Sequence, residues 1–297
     1  MTVATGALVA PTTKAQARWN QMLLVRSFHY TRTRTGLALV VLVAAVAVFG
    51  PWLAPHNPFA FVGAPFSPAS ATAPLGTDTL GRDLLSRFLD GGRTILVISL
   101  LGTVLGVGSG TIVGLAAGYS LRAVDEVLMR FVDMLLAFPG IVLALLLITV
   151  TGPNLAVLVG VIGLTFMPLT ARVARAAAIQ ERESDYVKYA EATGRSLWAI
   201  LTKEILPNIT APLTVEFGVR LTRAIGLMAA LDYLGLGVQP PTADWGVMIQ
   251  ENQPGLTFEP LTVLLPVAAI VVVTIGINLV TDGIGHAAAG ADRKVGD

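Results

Sequence analysis

Apolar residues in this chain fall in long unbroken blocks separated by short charged or proline-rich stretches. Gly36 to Ala54 carries no charge, and neither does Thr94 to Leu121, which lies between Arg93 and Arg122. Met134 to Ala171 is a longer uncharged stretch, divided by the turn signal Thr151-Gly152-Pro153-Asn154. Pro260 to Thr281 is a further block, bounded by Glu259 and Asp282. Crossing a bilayer takes about 20 mainly apolar residues in a helix, because the hydrocarbon holds no water to satisfy open backbone groups. The blocks therefore predict spans at 36–54, 94–121, 126–150, 154–172 and 260–281. Residues 207–231 have helical length but carry Glu216, Arg220 and Arg223; counting them, an all-α integral membrane protein with six transmembrane helices is expected.

Composition agrees with the pattern. Of 297 residues 54% are hydrophobic and only 13% charged, against about 25% charged in soluble domains. This excludes a soluble globular enzyme, and a disordered chain would need low hydrophobicity and high net charge. A net charge of +1 gives no field that would draw nucleic acid. With no Cys, and His29, His56 and His286 scattered, no metal site is expected. No G-x-x-x-x-G-K-[ST] pattern occurs, so the chain is not expected to hydrolyse ATP or to be an enzyme. Paired carboxylates or a His-Glu-x-x-His at membrane depth, which an intramembrane enzyme would need, are not in the sequence.

Lys and Arg set the expected orientation, since cytoplasmic segments near span ends hold the excess. The leader carries Lys14, Arg18, Arg26, Arg32 and Arg34 and is too long for a signal-peptide n-region. If residues 1–35 are cytosolic, cytosolic segments hold 15 basic residues against three outside, Arg82, Arg87 and Arg93. Both termini, the second being the tail 284–297, are thereby expected in the cytosol.

Three segments carry more than hydropathy. Gly102, Gly106, Gly110, Gly114 and Gly118 recur every four residues in the second span, a small-residue seam where another backbone can approach closely, either within the chain or in a second subunit. The loop 55–92 opens proline-rich, then places Leu80, Leu84, Leu85, Phe88 and Leu89 at helical spacing. An amphipathic helix at the outer membrane surface is predicted there, capped by Asp78 or Thr79. Residues 181–205 are densely charged yet interrupted by Tyr186, Val187, Ala190, Leu197, Trp198 and Ile200, and Gly194 divides them. Two short amphipathic helices around a glycine bend follow, a form suited to docking in a partner's groove.

These residues resemble a known family. Tyr186-Val187-Lys188-Tyr189-Ala190-Glu191-Ala192-Thr193-Gly194-Arg195-Ser196, with Ile205-Leu206-Pro207-Asn208, resembles the EAA loop of ABC importer permeases. Leu75 to Arg93 is similar to the LGTDxxGRDxxSR signature of the dipeptide and oligopeptide permeases. Leu231 to Pro241 with Asp244-Trp245-Gly246 resembles their LSFLGLGVQPP and WG segments, and Asn278 with Asp282-Gly283 their C-terminal end. The likeness runs from about residue 26 to 284 and points to the C-type member of the permease pair. Departures are local: Lys188 and Tyr189 stand at the Glu and first Ala of the EAA pattern, Asp232 and Tyr233 where Ser and Phe are usual, and Gly285 at a usual Arg.

The resemblance implies a type I importer fold with its transmembrane domain at 93–283. It also implies a second, B-type permease, two ATPase subunits that hold the ATP and Mg while this chain binds no cofactor, and an extracytoplasmic solute-binding protein, in a bacterial or archaeal plasma membrane. The coupling loop would comprise Asp185, Tyr186, Lys188, Ala190, Glu191, Ala192, Gly194, Arg195, Ser196, Leu206 and Pro207. Asp78, Arg82, Asp83, Arg87 and Trp245 are expected to meet the binding protein. The cargo implied is a peptide, with nickel chelate, haem or oligosaccharide as alternatives.

Glu216 sits about 14 Å along the fifth span from Pro207, with Arg220 one turn further. A central Arg facing lipid costs about 2.5 to 3.5 kcal/mol, so these charges must face the bundle or a water-filled path. Glu216 and Arg220 have the i to i+4 order of an ion pair, and Arg220 or Arg223 is alternatively a contact for a passing peptide's carboxylate. Asp232 is placed in the same path. A secondary transporter acting alone would show matching halves with broken helices, and no self-similar halves are visible.

Overall fold

The computed structural model describes residues 30–292, and side chains to 288; most of the expected cytosolic leader, with Lys14, Arg18, Arg26 and His29, and the end of the tail, with Arg293 and Lys294, lie outside the described residues. The described chain is all helical apart from two isolated bridges in the loop that follows the first helix. In chain order the helices are α1 (Thr31–Leu53), α2 (Leu84–Tyr119), α3 (Arg122–Leu136), α4 (Gly140–Thr151), α5 (Leu155–Arg182), α6 (Asp185–Ala192), α7 (Leu197–Ile200), α8 (Thr210–Tyr233), α9 (Trp245–Glu251) and α10 (Leu261–Asp292). Four of them, α1, α2, α5 and α10, are long and apolar enough to cross a membrane, and α3 with α4 adds a fifth if that bent pair is one span. The 24 residues of α8 have the length, but Glu216, Arg220 and Arg223 fall in every 18-residue window of it.

Two expectations are corrected. The amphipathic segment and the second span are a single 36-residue helix, α2, and its cap is Asp83, whose Oδ2 accepts from the Ser86 N–H at 3.0 Å. Asp78 and Thr79 are occupied before it: Asp78 Oδ1 accepts from the N–H groups of Leu80 and Arg82 at 2.9 and 2.8 Å, closing a turn that Gly81 completes at φ 77°. The third expected span is not straight, because α3 and α4 meet at 86°. Between them stand Ala137-Phe138-Pro139, and a proline ring disfavours helical geometry in the residue before it. Hydropathy is blind to that change of direction.

The glycine run of α2 lies against α5. A Cβ on Gly110 would stand 2.6 Å from the Met167 carbonyl oxygen, and one on Gly114 2.5 Å from that of Ala171. Gly102, Gly106 and Gly118 are likewise closed by Ile162, Gly163 and Ala178. Of the two uses left open for the seam, packing within the chain is the one seen. Without Cβ atoms the two backbones approach until dispersion contacts are made along their whole length, which in lipid replaces the hydrophobic drive available in water. On the other side of the bundle α1 meets α10 through Gly36 and Gly276, and Gly283 sits against Thr33. A core of Ile95, Ile98, Ile148, Leu158, Ile162, Ile225 and Met228 joins α2, α4, α5 and α8.

Candidate functional site

At one end of the bundle α6 and α7 stand apart from the long helices, joined by Thr193 to Ser196 with Gly194 at φ 75°. That left-handed value is cheap for glycine alone, which is why the chain turns there. Val187, Ala190, Ile200, Ile205 and Ile209 face inward against Leu115 and Ala178. The opposite faces point away: Tyr189 is 71% and Trp198 75% exposed, with Leu197 beside them. Ser196 caps α7 through the Ala199 N–H at 3.3 Å.

Polar ties hold this pair to the spans. Tyr119, the last residue of α2, donates to Glu191 Oε1 at 2.5 Å, and the Arg182 guanidinium lies over the Tyr119 ring at 5.3 Å. Tyr186 donates to Glu181, accepts from Asn208 Nδ2 at 2.9 Å, and Arg195 pairs with Glu204. Burial, helped by the Glu181 carboxylate, raises the Tyr186 hydroxyl well above the usual phenol range, so it stays a donor. Lys188 pairs with Glu183 at 3.3 Å, and Asp185 opens the first turn of α6. Ala192 ends α6, and Leu206 and Pro207 form the helical turn before α8. The part played by Tyr119, and the pairing of Glu181 and Asn208 with Tyr186, escaped sequence reasoning because these contacts are set by how spans pack.

Within α8, Glu216 and Arg220 are buried and paired, with Arg220 Nε 2.6 Å and Nη2 2.5 Å from Glu216 Oε1, and Thr170 of α5 adds a contact at 3.3 Å. Arg223, one turn on, is exposed, with no hydrogen bond or ion pair to the described residues. It leaves the helix on the side of Gly226, which also has open space around it.

At the other end the residues expected to meet a binding protein are turned inward. Asp78, Arg82, Asp83, Arg87 and Trp245 are all buried, and a docked partner only removes exposure, so these side chains offer it no surface. They tie the loop to α9 instead. Arg82 reaches Asp78 Oδ2 at 2.6 Å and Glu251 Oε2 at 2.7 Å, and Arg87 reaches the same two oxygens at 3.4 and 2.9 Å. The Thr79 N–H donates to Asn252 Oδ1 at 2.9 Å. Trp245 stacks on Phe88 with centroids 5.6 Å apart and donates Nε1–H to the Phe88 carbonyl at 2.9 Å, against Gly91 and Gly92. Glu251 was not legible, since it lies 164 residues from Arg87.

Asp232 does not line an open path either. It is buried at the end of α8, and its Oδ1 accepts from the Val238 N–H at 2.7 Å, fastening the turn that leaves the helix. Among the described residues no cluster of metal ligands occurs.

Residues 110–289 match the family described as binding-protein-dependent transport system inner membrane component. The chain belongs to that family. Relatives of this permease include the di/tripeptide transport system permease protein DppC of Pseudomonas aeruginosa, 37% identical over 84% of each chain. The glutathione transport system permease protein GsiD of Pectobacterium atrosepticum is 34% identical over 82% of each, and the probable D,D-dipeptide transport system permease protein DdpC of Escherichia coli 34% over 85% of each. The permease is thus a multi-pass membrane protein of a transport system, and family members of this kind are not themselves enzymes.

Proposed function

We propose that this permease is one of the two membrane subunits of an ATP-driven importer of di- or oligopeptides, working with a second permease, two ATPase subunits that bind ATP and Mg, and a solute-binding protein. The observation that carries the reading is the exposed apolar face of α6 and α7, with Tyr189, Leu197 and Trp198 outward on a pair of helices whose inner faces are fixed. Large apolar side chains clustered on a short helix pair mark a protein contact rather than a solvated connector. Named peptide permeases among the relatives support the cargo. In this reading α8 is a span, the fifth of six, and both termini are cytosolic, which puts α6 and α7 beside the ATPases.

ATP binding draws the ATPases together. The motion enters through α6 and α7 and, by way of the Tyr119 and Asn208 ties, reaches α2 and α8 together. Arg223 lines the path shared with the second permease, since an unpaired guanidinium at span depth needs water or a partner charge. Glu216 holds Arg220 within the bundle.

Affinity purification of the tagged chain from gently solubilised membranes is expected to recover a second permease and an ATPase. Gly194→Pro removes the φ 75° bend and is expected to lose the ATPase while keeping the permease. Recovery of this chain alone, under conditions that preserve other membrane complexes, would overturn the reading. Arg223→Gln is expected to lower peptide uptake at least about tenfold, the worth of a charge-assisted bond to a carboxylate, with assembly and ATPase activity unchanged. Uptake equal to wild type would remove Arg223 from the path.

A further inference from the structure

Asp232 and Asp244 come from different elements, the end of α8 and the residue capping α9, and both carboxyl groups lie against the backbone of Gly246. Asp232 is 2% exposed and Asp244 not at all. Each Oδ1 is used, Asp232 by the Val238 N–H and Asp244 by the Gly246 N–H at 2.8 Å, and the Oδ2 of each is buried without a hydrogen-bond partner. A Cβ on Gly246 would stand 2.6 Å from Asp232 Oδ2, so the glycine is what lets the two carboxyls meet.

No cation relieves them. Charged groups on the surrounding elements are Arg87, Asp90 and Arg93 on α2 and Glu251 on α9, with Tyr233 next along α8. Arg87 is engaged with Asp78 and Glu251, and Arg93 and Tyr233 are exposed. Among the described residues none of these forms an ion pair or a hydrogen bond with Asp232 or Asp244. Backbone N–H groups serve one oxygen of each, but two neighbouring carboxylates away from water and without a cation resist joint ionisation; a proton between them turns the repulsion into an O–H to O hydrogen bond.

We propose that Asp232 and Asp244 share one proton, and that this proton fastens α9 to the end of α8 as a latch released by alkaline pH. The latch is a property of this chain's fold and holds whatever the cargo. α9 also carries Trp245 and Glu251, so its attachment governs the stacked Phe88–Trp245 pair and the arginine cluster together.

The sign of the pH effect follows from proton binding. Burial pushes the Asp244 carboxyl above the usual aspartate range, which lies near about 4 in an unfolded chain. The folded protein therefore holds more protons above that value, and its stability falls as pH rises. The jointly held proton extends the fall to higher pH.

The test uses the assembled complex in nanodiscs, wild type against Asp232→Asn, with thermal midpoints recorded from about pH 6 to about pH 9. Asn keeps the size and supplies a permanent N–H donor to Asp244. The wild-type midpoint is expected to fall by about 4 °C more than that of the variant over this range. Infrared spectra at neutral pH are expected to show a protonated-carboxyl band that the variant lacks and that wild type loses when made alkaline. If Asp232→Asn does not assemble, Asp244→Asn is read the same way. Equal pH profiles, or no protonated-carboxyl band in wild type at neutral pH, would overturn the latch.

Discussion

Gly114→Leu is expected to leave almost no assembled permease in the membrane. The new Cβ would lie 2.5 Å from the Ala171 carbonyl oxygen and 2.6 Å from the Ala174 Cβ. Neither can yield without parting α2 from α5 along the seam. Inserting bulk into a packed core costs about 1 to 3 kcal/mol when side chains can adjust, and here the obstacle includes backbone, so the loss should exceed that range. Gly108→Leu is the matched control, because a Cβ on Gly108 meets nothing within 4 Å. Membrane levels of the two tagged variants, measured side by side, check the expectation. Equal levels would mean that α2 and α5 are not held at the distance seen.

Arg87→Ala should be the next most damaging change. Its guanidinium is fully buried between Asp78 and Glu251, and removing one partner of a buried charge group costs about 3 to 5 kcal/mol, since the remaining carboxylates keep the desolvation penalty. Unfolding of the purified permease should show the loss directly. The double variant Arg87→Met with Glu251→Met should recover part of it, because Arg82 and Asp78 remain paired at 2.6 Å and no carboxylate is stranded. A double variant no better than the single one would locate the defect in packing rather than charge.

Much of this was written in the chain. Apolar blocks announced helices because hydrocarbon tolerates little else, and the four-residue glycine spacing announced a seam, though not which helix fills it. The i to i+4 order of Glu216 and Arg220 announced their pair, since one helix supplies both partners. What escaped reading depends on distance along the chain or on direction. The signature arginines at 82 and 87 look like surface charges until Glu251, far along the sequence, is brought to them. Asp232, at a position where the resembled pattern has Ser, acquires its meaning only when Asp244 is folded against it. Composition gave no warning that α2 would run unbroken from the loop, because a helix with a polar start and an apolar remainder reads as two segments.

The bend between α3 and α4 has a consequence for the bilayer itself. Twelve residues of α4 rise about 18 Å, well short of the hydrocarbon thickness of about 30 Å. At the corner, peptide groups lack the next helical turn to bond with, and lipid tails supply neither donors nor acceptors. Hydrocarbon is therefore an unfit solvent for that corner. If α3 and α4 form one crossing, it is completed only beside water or another polypeptide, and at Ala137 to Pro139 the oily slab must give way.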